Sequence, residues 1–542
     1  MKLLRRMEAL QEAEGAVTDD GLRRLAKEEG VPLYRLEGLR SFYPVFREHP
    51  GAPVQVHVCR DVVCRMSGGA DHCRKVREAL TGREDVEVSE VSCLGLCDSA
   101  PAAAINDRPV TGDAAAIAAY ATGSRELPAE EPPRPGNRRP TDPYDCADDH
   151  YGILRELLTG RSADDVIQAL KDADLRGLGG AAFPTGMKWD FTRRAAGETK
   201  YVVCNADESE PGTFKDRALL EEQPHLVVEG MAIGAWVIGA RRGIVYLRHE
   251  YGRARRALQA AIDDAYARGV LGKSAFGTGG AFDLEIFVSP GGYILGEETA
   301  LLEALEDKRG EPRNKPPFPT NVGLDGKPTL INNVETLAAV PVILRRGAEW
   351  WADQGKGDHK GLKYVSVSGD VNAPGVYCVP WGTTAGEVLE LCGGVAHGRA
   401  LKAFSPGGAS TAFLPADRLD TPLDFQAMQQ AGSGLGTGAM VFVAEHRDLM
   451  DVTLSQVRFF RNESCGKCVP CRIGSRKAVE MVEAVMAGRA NGATGAELTE
   501  LHRTLAKTSI CGLGQVALLP LVDALEKFPG EPSLARLNGG DE

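Results

Sequence analysis

Two sets of four cysteines constrain this chain more than any other feature. Cys59-x4-Cys64 is followed by Cys93-x3-Cys97, and Cys465-x2-Cys468-x2-Cys471 is completed by a distant Cys511. Four thiolates are the ligand count of an iron–sulfur cluster. Three cysteines at x2 spacing place three thiolates on three corners of a cubane, and a fourth closes it from another helix. The second set therefore reads as a [4Fe–4S] site. Structural zinc usually recurs as two CxxC pairs, a pattern this triplet-plus-one does not follow. The first set does contain two pairs, which keeps zinc as the rival reading there. Its x4 and x3 spacings are looser than zinc knuckles, and a planar [2Fe–2S] rhomb between two loops fits them better. Two clusters on one chain imply a path for single electrons.

Cysteines grouped this way, behind an N-terminal MKLLRRMEALQEAEG with no apolar core, indicate metal binding in a reducing, cytoplasmic setting rather than disulfides. The other five cysteines, Cys73, Cys146, Cys204, Cys378 and Cys392, read as ordinary core or surface residues. A net charge of −12 argues against a nucleic-acid partner, since such binding is driven by basic patches. The most apolar run, Val227 to Ala240, is broken by Glu229 and falls short of the ~20 residues of a membrane span.

At 542 residues the chain should hold several domains. Residues 1 to about 50 look helical. Strand patterns at Val54–Val58 and Val86–Val91 each run into a cysteine pair, with a helix predicted over 72–82 between them. Six prolines and many charges in 122–143 mark a semi-rigid linker. From 144 onward strand-like runs (Tyr201–Cys204, Gly243–Leu247, Leu284–Val288) alternate with helical ones (219–240, 252–269, 296–306), which predicts an α/β domain. Residues 362–445 look β-rich, and a helical segment from about 447 carries the second cysteine set. The expected division is 1–121, the linker 122–143, 144–361, 362–445 and 446–542.

The α/β segment holds three glycine-rich or polar stretches. In Leu175-Arg-Gly-Leu-Gly-Gly-Ala-Ala-Phe-Pro-Thr-Gly-Met-Lys-Trp189, glycines let backbone N–H groups approach a phosphate or a ring. Gly177-x-Gly179-x-x-Ala182 mimics the dinucleotide fingerprint, but a helical pattern (Ala163 to Leu170) precedes it where that fingerprint needs a strand. In Tyr201–Asp216 a strand enters a polar turn, with Asn205, Asp207, Glu208, Ser209 and Glu210 within six positions. Such a turn is either solvated or a ligand shell. In Ser289–Ala300, Glu297 and Glu298 fall at the apparent start of a helix, where carboxylates suit the dipole.

These stretches, with Lys315-Pro-Pro-Phe-Pro319, Ile331-Asn-Asn-Val-Glu-Thr336 and Ser464-Cys-Gly-Lys-Cys-Val-Pro-Cys-Arg472, make positions 144–520 resemble the NADH-binding flavoprotein subunit of respiratory complex I and its relatives. Positions 20–120 resemble that family's thioredoxin-like [2Fe–2S] partner subunit. The resemblance implies an α/β multidomain protein. Its parts would be a thioredoxin-like [2Fe–2S] domain, a Rossmann-like FMN/NADH domain, a ubiquitin-like β-grasp module of the soluble-ligand-binding (SLBB) kind and a C-terminal helical bundle with [4Fe–4S]. It implies FMN at Gly177, Gly179, Gly180, Lys188, Asn205, Asp207, Glu208, Tyr293, Gly296, Glu297, Asn332, Asn333 and Thr336. It implies NAD(H) at Phe183, Lys188, Phe191, Glu210, Glu298 and Phe318. The β-grasp module is expected to act as a structural spacer. No side chain need act as general base, because the flavin carries the hydride transfer.

Two departures stand in the first loop, where the family usually has Arg-Gly-Arg-Gly-Gly-Ala-Gly. Leu178 replaces the second Arg and Ala182 the last Gly. Fusion of the two modules resembles the diaphorase subunits of soluble NAD-dependent enzymes. In length and layout the β subunit of molybdenum- or tungsten-dependent formate dehydrogenase is the expected match, with the diaphorase subunit of NAD-reducing hydrogenase as alternative. A non-catalytic electron-relay scaffold is the reading from a different class. The expected assembly is a hetero-oligomer with a catalytic Mo/W formate dehydrogenase α subunit that carries further iron–sulfur clusters.

Overall fold

A computed structural model describes residues 2–128, 141–276, 280–489 and 494–539. Of the proline-rich segment 122–143, residues 129–140 lie outside the described residues. Three N-terminal helices (Lys2–Glu14, Asp19–Glu29, Leu33–Phe42) come first. Their apolar faces (Leu3, Leu4, Met7, Leu22, Leu25, Leu36) share one core with Phe287, Leu295, Leu301 and Leu305 of the central α/β region. The Asp307 carboxylate accepts the Lys2 and Leu4 N–H groups at 2.7 and 3.1 Å, stabilising the start of the first helix.

Next comes a sheet of β1 (Val54–Cys59), β2 (Val86–Val91), β3 (Ala103–Ile105) and β4 (Arg108–Val110), in the order β2-β1-β3-β4. β1 and β2 are parallel, and the other pairs are antiparallel. Helices Gly69–Ala79 and Ala114–Ala121 pack Cys73, Val76, Ile117 and Tyr120 on Val56, Val58 and Ile105. Cys73 is thus a core residue, as its sequence context suggested.

The central sheet is all parallel: β5 (Tyr201–Ala206), β6 (Arg242–Leu247), β7 (Asp283–Val288) and β8 (Thr329–Asn333), in the order β7-β6-β5-β8. Three of these strands match the predicted runs. The fourth, β8, is too short and polar (TLINN) to show a period. The helix expected over 219–240 is two helices, Lys215–Glu222 and Pro224–Ile238. Pro224 sets the break, because its ring starts a helix but cannot continue one. Among the described residues no helix is long and apolar enough to cross a membrane. Pro224–Ile238 is apolar all round because it is buried on nearly every face.

β9 (Leu362–Gly369), β10 (Gly375–Pro380), β11 (Leu401–Ser405), β12 (Leu414–Pro415) and β13 (Ala439–Ala444) form the third sheet, ordered β10-β9-β13-β11-β12. β13 lies parallel to β9, and the remaining pairs are antiparallel. Its inner face (Val365, Val367, Phe404, Phe442) belongs to the same core as Trp189, Val202 and Leu330 of the central region. Helices Leu449–Glu463, Val469–Met486, Thr494–Thr508 and Leu519–Lys527 complete the chain.

Candidate functional site

β5 lies between β6 and β8, so the strand order reverses there. The crevice outside the carboxyl ends of strands at such a reversal is where open α/β sheets take ligands. Asn205 of β5 and Asn333 of β8 face one another in register at that point. Two connected hollows open from it, sharing Gly179, Ala181, Asn205, Gly296, Glu297 and Asn333.

The outer lobe, about 810 Å³, holds Gly177, Phe183, Lys188, Phe191, Glu298, Lys315, Phe318 and Asn332. Phe183, Phe191 and Phe318 remain 44%, 47% and 52% exposed. Three exposed aromatic rings at the mouth of one cleft are the mark of a ligand site rather than of a core. Glu298 Oε2 lies 3.2 Å from Lys188 Nζ, and its Oε1 lies 3.5 Å from Lys315. Burial pushes the Glu298 carboxyl up, but the two ammonium groups outweigh it and hold the carboxyl below its usual range. Lys188 Nζ also donates to the Ile331 carbonyl at 2.7 Å. Glu297 fulfils the structural role its position suggested: Oε2 accepts the Thr299 and Ala300 N–H groups at 2.9 Å each, as an N-cap. Its Oε1 takes Lys315 at 2.9 Å.

The inner lobe, about 540 Å³, is lined by Gly180, Asp207, Glu208, Glu210, Asp216 and Tyr293. Burial pushes Asp207, Glu208 and Glu210 each up to about 7. The polar turn is therefore not a solvated one. Glu208 accepts the Asp216 and Arg217 N–H groups at 2.8 and 2.9 Å and the Tyr251 hydroxyl at 2.9 Å. Asn205 Nδ2 donates to Gly296 O at 2.8 Å. Asn333 donates to Asp216 at 2.6 Å and caps Glu335 N at 2.9 Å. A Cβ on Gly179 would stand 2.9 Å from Asn333 Cβ, so only glycine leaves that wall in place.

Three expectations need correction. Thr336 is buried and lines neither lobe; its Oγ1 accepts the Leu178 N–H at 2.9 Å and holds the glycine loop from behind. Glu210 is not with the aromatic trio. It sits in the inner lobe, where it accepts Ser410 N at 2.7 Å. The third sheet is more than a spacer: Ser410, Thr411, Gly436 and Thr437 from its loops wall the inner lobe. The Leu178 side chain is buried among core residues, away from both lobes. Ala182 adopts a φ of +55°, a left-handed conformation that costs a non-glycine residue about 1–2 kcal/mol.

Sequence reasoning also missed a buried ion network. Lys215 Nζ lies 2.7 Å from Asp216 and 2.8 Å from Glu335, and Lys363 Nζ of β9 lies 2.6 Å from the same Glu335. Burial pushes Lys363 down to about 8, whereas Asp216 and Glu335 together hold Lys215 above its usual value despite burial. Lys215 and Asp216 close the polar stretch in sequence, but nothing local marks Glu335 or Lys363 as their partners.

Both thiol sets are assembled. Cys465, Cys468, Cys471 and Cys511 ring one small cavity with Ser464, Ser509 and Gly514. Ile294 and Leu513 line both this cavity and the inner lobe, so a single layer of side chains separates the two. Cys59, Cys64, Cys93 and Cys97 are buried together, with Cys93 Sγ 3.5 Å from Cys97 Sγ. Gly95 N and Ala102 N donate to Cys93 Sγ and Cys64 Sγ at 3.4 and 3.3 Å. Burial pushes Cys511 up to about 11, and Cys465 and Cys471 upward as well. Coordination reverses that, since a metal-bound thiol is deprotonated outright. Among the described residues no three or more His, Cys, Asp or Glu are arranged to hold a metal ion. The four C-terminal thiols nevertheless line one small cavity, so they form a four-thiol donor set. Both donor sets, and the cleft, fit the groups implied.

Residues 170–342 match the Nuo51 FMN-binding domain, 451–533 the NADH-ubiquinone oxidoreductase-F iron-sulfur binding region, 1–117 the thioredoxin-like [2Fe-2S] ferredoxin and 364–414 the SLBB domain. An NADH-quinone oxidoreductase subunit of Rhizobium meliloti (strain 1021) is 43% identical over 382 residues, 70% of this chain and 91% of that one. The chain belongs to the Nuo51 family of NADH-quinone oxidoreductase subunits. A subunit of the NADP-reducing hydrogenase of Solidesulfovibrio fructosivorans is 42% identical over 70% of this chain and 78% of that one. A chain of an NAD+-reducing [NiFe]-hydrogenase in the H2-reduced state superposes with a TM-score of 0.88 at 34% identity, covering 99% of this chain and 93% of that one. This member of the Nuo51 family is thus an NAD-dependent oxidoreductase subunit with FMN, [4Fe–4S] and [2Fe–2S], fused to a thioredoxin-like domain.

Proposed function

We propose that this chain is the NAD(H):FMN diaphorase subunit of a hetero-oligomeric, cytoplasmic enzyme, and that it exchanges electrons with a partner through its clusters. The observation that carries the reading is the continuous cleft, open at an aromatic mouth and ending one side-chain layer from the C-terminal thiols. FMN, when bound, supplies the exchange between a two-electron hydride and single electrons. In the outer lobe Phe183, Phe191 and Phe318 offer faces to nucleotide rings, Glu298 accepts a hydroxyl or carboxamide proton, and Lys188 donates. Gly177, Gly179 and Gly180 let backbone approach the flavin. Lys188, Asn205, Asp207, Glu208, Tyr293, Gly296, Glu297, Asn332 and Asn333 surround it, with Thr336 holding the loop. Glu210 stands where the two ligands would meet.

Cys465, Cys468, Cys471 and Cys511 would hold [4Fe–4S], and Cys59, Cys64, Cys93 and Cys97 [2Fe–2S]. The division 1–121, 144–361, 362–445 and 446–542 belongs to this proposal. For the partner, the likeness to the NAD+-reducing [NiFe]-hydrogenase chain over 99% of this one favours a hydrogen-oxidising partner over a Mo/W formate dehydrogenase α subunit. The formate reading keeps the length and layout of the fusion as its support.

The test uses the purified native complex under anaerobic conditions, with NAD+ reduction followed after hydrogen and then after formate, alongside analysis for Ni, Mo and W. Hydrogen-driven reduction with Ni supports the hydrogenase partner, and formate-driven reduction with Mo or W supports the other. Absence of FMN, or of NADH-driven reduction of an artificial acceptor, would sink the diaphorase reading and leave the relay scaffold.

A further inference from the structure

The helix Leu449–Glu463 contacts residues beside both thiol sets and a residue that lines the inner lobe. Near its start Asp451 takes the Arg65 guanidinium in a bidentate pair, Nε at 2.9 Å from both oxygens and Nη2 at 2.5 Å from one. Arg65 directly follows Cys64. At the helix end the two oxygens of Glu463 divide between two other loops. Oε1 accepts the Ser92 hydroxyl, and Ser92 directly precedes Cys93. Oε2 accepts the Tyr293 backbone N–H at 2.8 Å, and Tyr293 lines the inner lobe. The Tyr293 ring rests on Phe459 and Phe460 of the same helix, at centroid distances of 5.0 and 6.2 Å. Past Glu463 the chain runs through Ser464, whose hydroxyl lies 3.3 Å from Cys471 Sγ, straight into Cys465. Asp451 and Glu463 are twelve residues apart, which at 1.5 Å per residue spans about 18 Å.

We propose that this helix is the strut that fixes the three redox sites relative to one another, with Glu463 as its junction. Electron transfer needs fixed separations between centres. The N-terminal thiol loops (Val62, Val63, Met66, Cys93, Cys97) meet Phe214 and Ile294 of the flavin region and Val452 and Phe459 of this helix in one shared core, and Arg217–Asp98 and Arg248–Cys93 O add polar contacts at the same seam; within it, the helix is the element that also runs into the C-terminal thiols. Glu463 is suited to this because a carboxylate has two acceptor oxygens and can hold two donors at once with charge-assisted bonds. Its role is positioning: it reaches one residue next to a ligand and one backbone amide of the flavin lobe. It touches neither substrate nor reacting atoms. The inference deepens the reading of the cleft and thiol sets given above and rests on it.

The experiment compares the full chain with Glu463→Ala, Glu463→Gln and Ser92→Ala. Hydrogen–deuterium exchange is measured on peptides spanning 289–296 and 90–97. The reduced holoprotein is examined by EPR for both cluster signals and for their mutual magnetic relaxation. Glu463→Ala should speed exchange at the Tyr293 amide by about tenfold or more, since a hydrogen bond to a charged group is lost. It should also weaken the relaxation between the clusters. Glu463→Gln keeps one acceptor oxygen but loses the charge, and should loosen the Tyr293 amide less than Glu463→Ala. Ser92→Ala should loosen 90–97 alone, which tests the strut even if Glu463→Ala folds poorly. Wild-type exchange and wild-type inter-cluster relaxation in Glu463→Ala, or equal loosening of both peptides in Ser92→Ala, would overturn the proposal. A parent chain lacking FMN or a cluster would defeat the functional reading instead, and the exchange comparison would still decide on the strut.

Discussion

Replacing Glu298 by glutamine probes the nucleotide half of the cleft, and its size can be worked from the geometry. The carboxylate is 25% exposed and lies 3.2 Å from Lys188 and 3.5 Å from Lys315. At an effective dielectric of 20, each contact carries roughly 5 kcal/mol of raw attraction. Desolvation and solvent screening leave on the order of 1 kcal/mol net. Glutamine keeps the shape and one acceptor oxygen, so the fold and the flavin half should survive. A nucleotide hydroxyl that donates to Glu298 would exchange a charge-assisted hydrogen bond of about 1.5–3 kcal/mol for a neutral one of about 0.5–1.5. The difference, about 1–1.5 kcal/mol, is roughly a 5- to 12-fold fall in kcat/KM for NADH. Because the contact is to a part of the substrate that does not react, the fall should sit mainly in KM. The two lysines hold the carboxyl below its usual range. Such a group's contribution is present above the unfolded value and lost only as pH falls through the folded one. The effect should therefore be the same from about pH 6 to pH 8. The assay is steady-state NADH oxidation with an artificial acceptor, with the FMN-to-protein ratio read from the flavin spectrum. Unchanged NADH kinetics would refute the placement of Glu298, and loss of FMN would refute the division of the cleft into two halves.

Glu335→Ala leaves the Lys215 and Lys363 ammonium groups buried without their shared carboxylate; it should destabilise the chain by about 3–5 kcal/mol, read as a lower midpoint in thermal unfolding. A change below about 1 kcal/mol would mean that the lysines shed protons instead of charge going unpaired. Glu210 is pushed up from 4.5 to about 7 by burial. In the flavin-free chain its contribution to stability should be fully present below the unfolded value, decline by about 3 kcal/mol between those pH values and stay level above. Glu210→Gln should flatten that part of the stability–pH curve, and an unchanged slope would assign it to Asp207 and Glu208. Gly179→Ala sets a methyl 2.9 Å from Asn333 Cβ and should cost about 1–3 kcal/mol, with less FMN retained after gel filtration; full retention would show that the wall can give.

Much of the fold was legible because its signals are local. β5 and β6 are largely apolar runs bounded by turns, as strands buried on both faces should be, and the edge strand β7 buries Leu284 and Phe287. The helix Ala163–Asp172 carries a capping box, with Ser162 and Asp165 reciprocally bonded, ahead of Val166, Ile167 and Leu170 on one face. That helix is what ruled out a dinucleotide fingerprint at Gly177, and the glycine loop does run between two helices. The thiol sets were legible for a different reason: cysteine spacing reports chemistry directly, whatever fold delivers it. β8 was not legible as a strand. Its five residues owe their conformation to pairing with β5, which no pattern in TLINN announces.

What the sequence did not show at the site has one physical cause. Glu210 was grouped with the aromatic trio because both were matched to one ligand, but its position is set by Ser410, 200 residues away in sequence. A carboxyl buried at the end of β5 needs a donor, and that donor is a backbone N–H, which every residue but proline carries and no sequence can flag. Lys363 is similar. A lysine in a β-rich segment reads as a solvent-facing strand position, yet this one reaches from β9 to Glu335 in the helix Val334–Arg346 and is fully buried. Together these contacts turn an apparent spacer into part of the inner-lobe wall. The third sheet holds Glu210 through Ser410 and, through Lys363 and Glu335, steadies Lys215, which pairs with the lobe-lining Asp216. Loosening that sheet should therefore alter the charge pattern of the inner lobe before it alters the aromatic mouth. Lys363→Met offers the separation: FMN retention and the flavin's midpoint potential should shift while the KM for NADH holds. A shift in KM alone, with flavin binding and potential unchanged, would return the third sheet to the role of a spacer.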